Sequence, residues 1–173
     1  PLVLGSVADP RVERSSSSFV NLHSMPGGHS KAQLAKSLRL RILELWREGE
    51  LLRSRIEVRN SGAGHSVPTG SPLRKVRLSV VASTPSGFHS RQEFLFQKVV
   101  LDESGQPILK DSRTFLDAAS VQSDTRLAPG EARILEAAFA APPDENVVVH
   151  ATLTYLYSPH DRDENDPRLD FFS

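Results

Sequence analysis

The chain has 173 residues, the size of one ordinary domain and enough to bury a core. Its 21 basic side chains balance 21 acidic ones, which removes the electrostatic case for a nucleic-acid or anionic-membrane partner. It has no cysteine, which excludes disulfides, thiolate zinc sites, cysteine nucleophiles and the C-x-x-C-H attachment of c-type haem. No apolar run approaches the ~20 residues of a membrane span.

Residues 1–30 show no apolar periodicity and read as an extended, irregular N-terminal arm outside the main domain. The chain opens on Pro1, as expected of a processed or partial polypeptide. Pro26-Gly27-Gly28 forms a turn, and Ser30 is placed to cap a short helix through Ala32–Lys36. Leu34, Leu38, Ile42 and Leu45 fit a helical stripe, but Leu38, Leu40 and Ile42 also alternate with Arg39 and Arg41. The strand is the better choice. Arg47-Glu48-Gly49-Glu50 supplies a hairpin turn, and Leu52, Ser54, Ile56 and Val58 then alternate with Arg53, Arg55, Glu57 and Arg59. One continuous helix would instead hold Gly49 in its interior, at about 1 kcal/mol relative to Ala.

Strand signals resume after Gly70. Val76, Leu78 and Val80 alternate up to the turn Thr84-Pro85-Ser86-Gly87, and Phe94–Leu101 reads as one strand closed by Asp102-Glu103-Ser104-Gly105. Phe115-Leu116 reads as a short strand. The turn Arg126-Leu127-Ala128-Pro129-Gly130-Glu131 leads into Ile134–Phe139, and Val147–Tyr157 is the last strong strand. About seven or eight strands separated by turns predict an all-β fold, an antiparallel β-sandwich with a short helix. The sandwich domain is expected over residues 31–157, and 158–173 as an acidic irregular tail.

The histidines are His23, His29, His65, His89, His150 and His160, and none forms an H-E-x-x-H or H-x-H pair. His65 stands between Gly62-Ala63-Gly64 and Pro68-Thr69-Gly70, in backbone that fixes its direction while leaving its ring approachable. That suits a ligand to a metal or haem iron; the structural alternative is a glycine-rich turn or bulge that His65 merely caps. His150 falls within a strand pattern, as a core or sheet-face residue, and His89 lies in a solvated turn. Met25 is the sole methionine, either a thioether ligand or a gap-filler. Asp161, Asp163 and Asn165 open a D-x-D-x-N pattern. Asp166 then stands in place of the turn glycine and Phe172 in place of the closing Glu, so the EF-hand fails. A looser calcium site and a solvated acidic tail remain the two readings. No nucleophile elbow, dinucleotide loop or Walker lysine is present, so the chain is expected not to be an enzyme.

His23-Ser24-Met25-Pro26-Gly27-Gly28-His29, a short Leu34/Leu38 segment, a hairpin and then Asn60-Ser61-Gly62-Ala63-Gly64-His65-Ser66-Val67-Pro68-Thr69-Gly70 follow one another in order. Asp124-Thr125-Arg126-Leu127-Ala128-Pro129-Gly130-Glu131 and Ala151-Thr152-Leu153-Thr154-Tyr155 come later. Taken together, residues 20–157 resemble the β-sandwich region of multihaem c-type cytochromes, with its H-x-x-x-G-G, G-H-x-x-P-T-G, D-x-R-[IL]-x-P-G-E and A-x-L-x-Y stretches. The resemblance implies electron transfer in the periplasm or outside the cell, alongside a multihaem cytochrome or another electron-transfer protein. It implies His23, then His65, then His29 as distal ligands to haem. The lack of C-x-x-C-H departs from the family: any haem c is bound covalently by a partner or a further segment, or the domain serves as a scaffold without a redox role. A carbohydrate-binding accessory domain is a third reading, weakened by a single tryptophan and two tyrosines.

Overall fold

The computed structural model describes residues 2–5, 18–21, 30–157 and 168–172. In chain order the elements are β1 (Leu2–Gly5), β2 (Ser18–Asn21), α1 (Lys31–Ser37), β3 (Leu38–Glu48), β4 (Leu51–Asn60), β5 (Lys75–Ser83), β6 (His89–Phe96), β7 (Lys98–Leu101), α2 (Asp111–Asp117), β8 (Ser120–Asp124), β9 (Ala132–Phe139), β10 (Val148–Leu156) and β11 (Arg168–Phe172). Every strand pairing among them is antiparallel.

The first of these elements follow from local chemistry. Ser30 accepts a hydrogen bond from the Gln33 amide at 3.4 Å, which satisfies one of the orphan donors at the start of α1. The helix stops where Leu38 turns extended, and alternation takes over. Gly49, at φ 60°, turns β3 back into β4, a left-handed conformation that glycine adopts without a Cβ penalty. Period-two spacing then buries Leu52, Ser54, Ile56, Val58 and Asn60 on one face of β4.

Two sheets face each other, ordered β3-β4-β9 and β11-β10-β5-β6. Ile56, Val58, Ala137 and Phe139 from the first meet Val76, Leu78, Val80, Phe96, Leu153 and Tyr155 from the second in one buried cluster. Each large apolar side chain so enclosed contributes about 1.5–3 kcal/mol. The edges are also tied. The side-chain amide of Gln92 on β6 donates to the Ala138 carbonyl at 2.9 Å and accepts from its N–H at 3.2 Å, extending β9 as a strand partner would.

The structure departs from the sequence reading at several elements. Phe94–Leu101 is two strands, not one: β6 ends at Phe96, and β7 starts a small separate sheet with β8. Thr125 makes the break, because its hydroxyl takes the Gln97 N–H at 3.0 Å and its own amide donates to the Gln97 carbonyl at 2.8 Å. Phe115 and Leu116 lie in helix α2 instead of a strand, and are 80% and 84% exposed. Asp111 in its first turn and the Arg113–Asp117 pair one turn apart favour the helix. Strands β1 and β2 pair within the stretch read as an irregular arm, and β11 pairs with β10 within the stretch read as an irregular tail. Such short segments become strands through their partners, which lie 12 or more positions away in sequence.

Candidate functional site

One end of the sandwich gathers three of the four stretches singled out in the sequence, the fourth, His23–His29, lying outside the described residues. Val67 and Leu127 exchange two backbone hydrogen bonds of 2.9 Å, joining the His65 loop to the 124–131 loop. The Asn60 amide donates to the Glu131 carbonyl at 2.9 Å, and the Gly130 amide donates to the Asn60 carbonyl at 3.0 Å. Tyr155, from β10, donates its hydroxyl to the Thr69 carbonyl at 3.2 Å. The Val67–Pro68 peptide is cis.

Asn60 organises the loop from beneath. Its side chain is fully buried, and its amide nitrogen donates to the carbonyls of His65 at 2.8 Å and Leu127 at 3.1 Å. Its side-chain oxygen accepts from the Ala63 N–H at 3.1 Å. A buried amide left unpaired is costly, so an Asn with these bonds holds a single arrangement of the loop. Gly62 is sterically required. A Cβ there would lie 1.9 Å from the Lys36 carbonyl oxygen, where the Ser61 and Gly62 amides both dock on the Ser37 carbonyl at 3.0 and 3.1 Å. Gly64 has open space around it; of the two glycines before His65, only Gly62 is imposed by packing.

Beside this loop lies an open cleft of about 360 Å³, walled by Leu34, Ser37, Ala63, His65 and Tyr155 among others. His65 is exposed at its edge. The ring Nδ1 lies 3.1 Å from the Ser66 carbonyl oxygen. A carbonyl oxygen carries no hydrogen, so Nδ1 must donate, and the neutral ring keeps its lone pair on Nε2. Nε2 has no hydrogen-bond partner among the described residues. Burial raises the Tyr155 pKa above the ordinary phenol value, an effect partly opposed by Arg74 beside it. Tyr157 packs against Tyr155 with the rings tilted by 57° and their centroids 4.9 Å apart.

The 124–131 loop is clamped by charge. Arg126 donates to both carboxylate oxygens of Asp124, at 2.8 and 2.6 Å, and this hydrogen bonding holds the Asp124 carboxyl below the usual range. Glu131 accepts the Ala128 N–H at 2.8 Å and pairs with Arg133, and these contacts, the backbone one first, lower its pKa also. Depressed folded-state values mean that the stabilisation is complete above the ordinary carboxylate range near 4 and is lost as pH falls through the lower folded values. Urea midpoints should therefore drop between pH 5 and pH 3, and Glu131→Gln should reduce that drop. An identical pH slope in the variant would show that Glu131 is not one of the groups responsible.

The six histidines fare differently. His23 and His29 lie outside the described residues, as do Met25, His160 and the Asp161, Asp163 and Asn165 pattern. His150 sits exposed on the outer face of β10, and His89 is exposed as the first residue of β6. Among the described residues, no three His, Asp or Glu side chains gather closely enough for a metal site. Asn60 and Tyr155 lie within the stretches singled out in the sequence, but sequence reasoning assigns neither of them a role at the site. The signal for Asn60 was present: it continues the inward phase of β4, and a polar residue in that phase demands buried partners.

No protein-family model matches the chain, nor does any curated protein. Among solved structures it is similar to a penta-haem cytochrome c552 from Thermochromatium tepidum, with 24% identity, a TM-score of 0.68 and 86% of this chain covered. A structural-genomics target aligns at a TM-score of 0.36 with 12% identity, too distant to carry an argument. The chain spans 41% of the length of the cytochrome. Its antiparallel sandwich is thus the fold of one part of a multihaem cytochrome.

Proposed function

We propose that this domain is a haem-associated β-sandwich of an extracytoplasmic electron-transfer assembly, and that His65 presents Nε2 as an axial ligand to a haem iron held elsewhere. One observation carries the reading: an exposed imidazole at a cleft edge, with Nδ1 engaged by the Ser66 carbonyl and Nε2 without a partner among the described residues. A histidine ligand is ordinarily arranged so, with its second nitrogen held by a carbonyl that sets the tautomer and the ring direction. The shared fold with part of a penta-haem cytochrome supports it. The donor set fits a haem better than a bare metal, because a single neutral imidazole completes an axial position but leaves a metal ion short of ligands.

When bound, a haem supplies one-electron exchange. The part of this chain is to aim the imidazole, to shape the apolar wall of Leu34, Ala63 and Val67 beside it, and to keep the loop from moving. The resemblance adds His23 as a further ligand, with His29 after it. Since the chain has no cysteine, covalent attachment falls to a partner or another segment. The test is the optical spectrum of the intact assembly carrying His65→Ala or His23→Ala. Loss of one low-spin haem signal is expected for each ligand removed; unchanged spectra in both variants, with the assembly intact, would overturn the reading.

A scaffold without a redox role is the second reading, favoured by the exposed Phe115 and Leu116 on α2, beside Val121 at 51% exposure. Apolar side chains clustered in the open mark a surface that another polypeptide covers. Phe115→Ser with Leu116→Ser, dispersing the assembly while His65→Ala leaves every haem signal in place, would favour the scaffold.

A further inference from the structure

We infer that Asn60 is the positioning residue that sets the tautomer and direction of His65. The inference rests on the reading of His65 as a ligand, and deepens it.

One carboxamide clips the loop at two points. Its oxygen holds the Ala63 N–H at 3.1 Å and its nitrogen holds the His65 carbonyl at 2.8 Å, so the three residues from Ala63 to His65 are pinned at both ends by a single rigid plane. The second amide hydrogen reaches the Leu127 carbonyl at 3.1 Å, anchoring the clip to the opposite loop. Asn60 itself cannot shift: its side chain is fully buried, and its backbone N–H and C=O are both taken by the 130–131 turn.

The consequence for the ring follows from which carbonyl is occupied. Asn60 engages the His65 carbonyl and so fixes the plane of the peptide joining His65 to Ser66. The next carbonyl, that of Ser66, shares its peptide plane with the Val67 N–H, which donates to the same Leu127 carbonyl that Asn60 holds; so oriented, it takes Nδ1–H at 3.1 Å. Proton on Nδ1 means lone pair on Nε2, which has no hydrogen-bond partner among the described residues. Without the clip the His65–Ser66 peptide and the Leu127 carbonyl both lose their anchor, and with them the fixed backbone that keeps Nδ1 on the Ser66 carbonyl. Asn60 touches no ligand in this scheme; it acts through backbone alone.

Asp is the informative replacement. It keeps the shape of Asn and an acceptor for Ala63, but offers at most one hydrogen, when protonated, where the Asn amide supplies two to the carbonyls of His65 and Leu127. The test uses the purified chain at neutral pH. Nitrogen-15 NMR of the imidazoles reports the His65 tautomer, and titration with a soluble c-type haem octapeptide that has one open axial position reports ligation. The unaltered chain should show a protonated Nδ1 and a bare Nε2. Asn60→Asp and Asn60→Ser should move both nitrogens toward the averaged pattern of a free imidazole and weaken haem-peptide binding about 10- to 100-fold, as loss of a supporting hydrogen bond does at metal-ligating histidines. Val80→Ala is the control, a core truncation on β5 that lowers stability without touching the loop; it should leave both readouts in place. An Nε2-protonated His65 in the unaltered chain overturns the inference even if the Asn60 variants fail to fold. Unchanged tautomer and affinity in a folded Asn60→Asp, or equal weakening by Val80→Ala, also overturns it. Haem-peptide binding that is absent, or indifferent to His65→Ala, would sink the ligand reading instead, and the tautomer would still decide the role of Asn60.

Discussion

Phe96→Ala is expected to lower the unfolding free energy by about 3–5 kcal/mol, the range for emptying a buried aromatic site. Phe96 is only 2% exposed at the end of β6, where it belongs to the central cluster between the sheets. Its ring also carries the Arg133 guanidinium, centred 5.6 Å from the ring centroid, an interaction of about 0.5–2 kcal/mol. Arg133 in turn donates to the Thr125 carbonyl at 2.6 Å and pairs with Glu131. Loss of the ring should therefore destabilise the sandwich globally and loosen the 124–131 loop locally. At about 2–4 °C per kcal/mol for a chain of this size, the shift is readily seen in a thermal melt. Phe96→Leu, which refills most of the volume, should cost much less. Urea unfolding of the two variants decides the matter: equal losses would mean that the cavity is not the cause. Amide exchange faster at Thr125–Glu131 than elsewhere in Phe96→Ala would separate the local effect from the global one.

Gly62→Ala should be nearly as damaging although it adds only one methyl. The new carbon would sit 1.9 Å from the Lys36 carbonyl oxygen and 2.9 Å from its carbonyl carbon, both backbone atoms that no rotamer change can move. Either the end of α1 or the His65 loop must shift. Overpacking of this kind costs about 1–3 kcal/mol. The shift also strains the two amide bonds to Ser37, each worth about 0.5–1.5 kcal/mol. Gly64→Ala is the internal comparison, since nothing lies within 4 Å of its Cβ and its φ is not in the left-handed region. That change should stay within about 0.5 kcal/mol. Similar melting temperatures for the two variants would remove the steric argument for Gly62. If the His65 loop rather than α1 gives way, Gly62→Ala should also weaken haem-peptide binding, which links the packing of this glycine to the proposed site.

Alternation along Leu38–Ile42 and Leu52–Val58 was enough to identify the hairpin of β3 and β4, because strand geometry alternates side chains locally. Burial follows that period throughout β4, but in β3 it ends at Leu40, and Ile42 is exposed beside a shift of register. The cap at Ser30, the turn at Gly49 and the loop position of His65 were legible for the same reason: each depends on a few neighbouring residues. The apolar run Phe94–Leu101 carried no sign of its break, since the cause is Thr125, a residue far along the chain. Phe115-Leu116 was too short a pair to show a period, and ion pairing one turn apart decided for helix. The site shows the same division. Sequence placed His65 in constrained backbone, but the tautomer depends on Ser66 and the loop on Asn60. The convergence of Thr69 with Tyr155 spans 86 positions, which no local pattern encodes. Period, caps and turns belong to the chain itself. Which loop meets which, and therefore which nitrogen of His65 is left bare, is decided only when the two sheets pack and the buried Asn60 amide must find its partners.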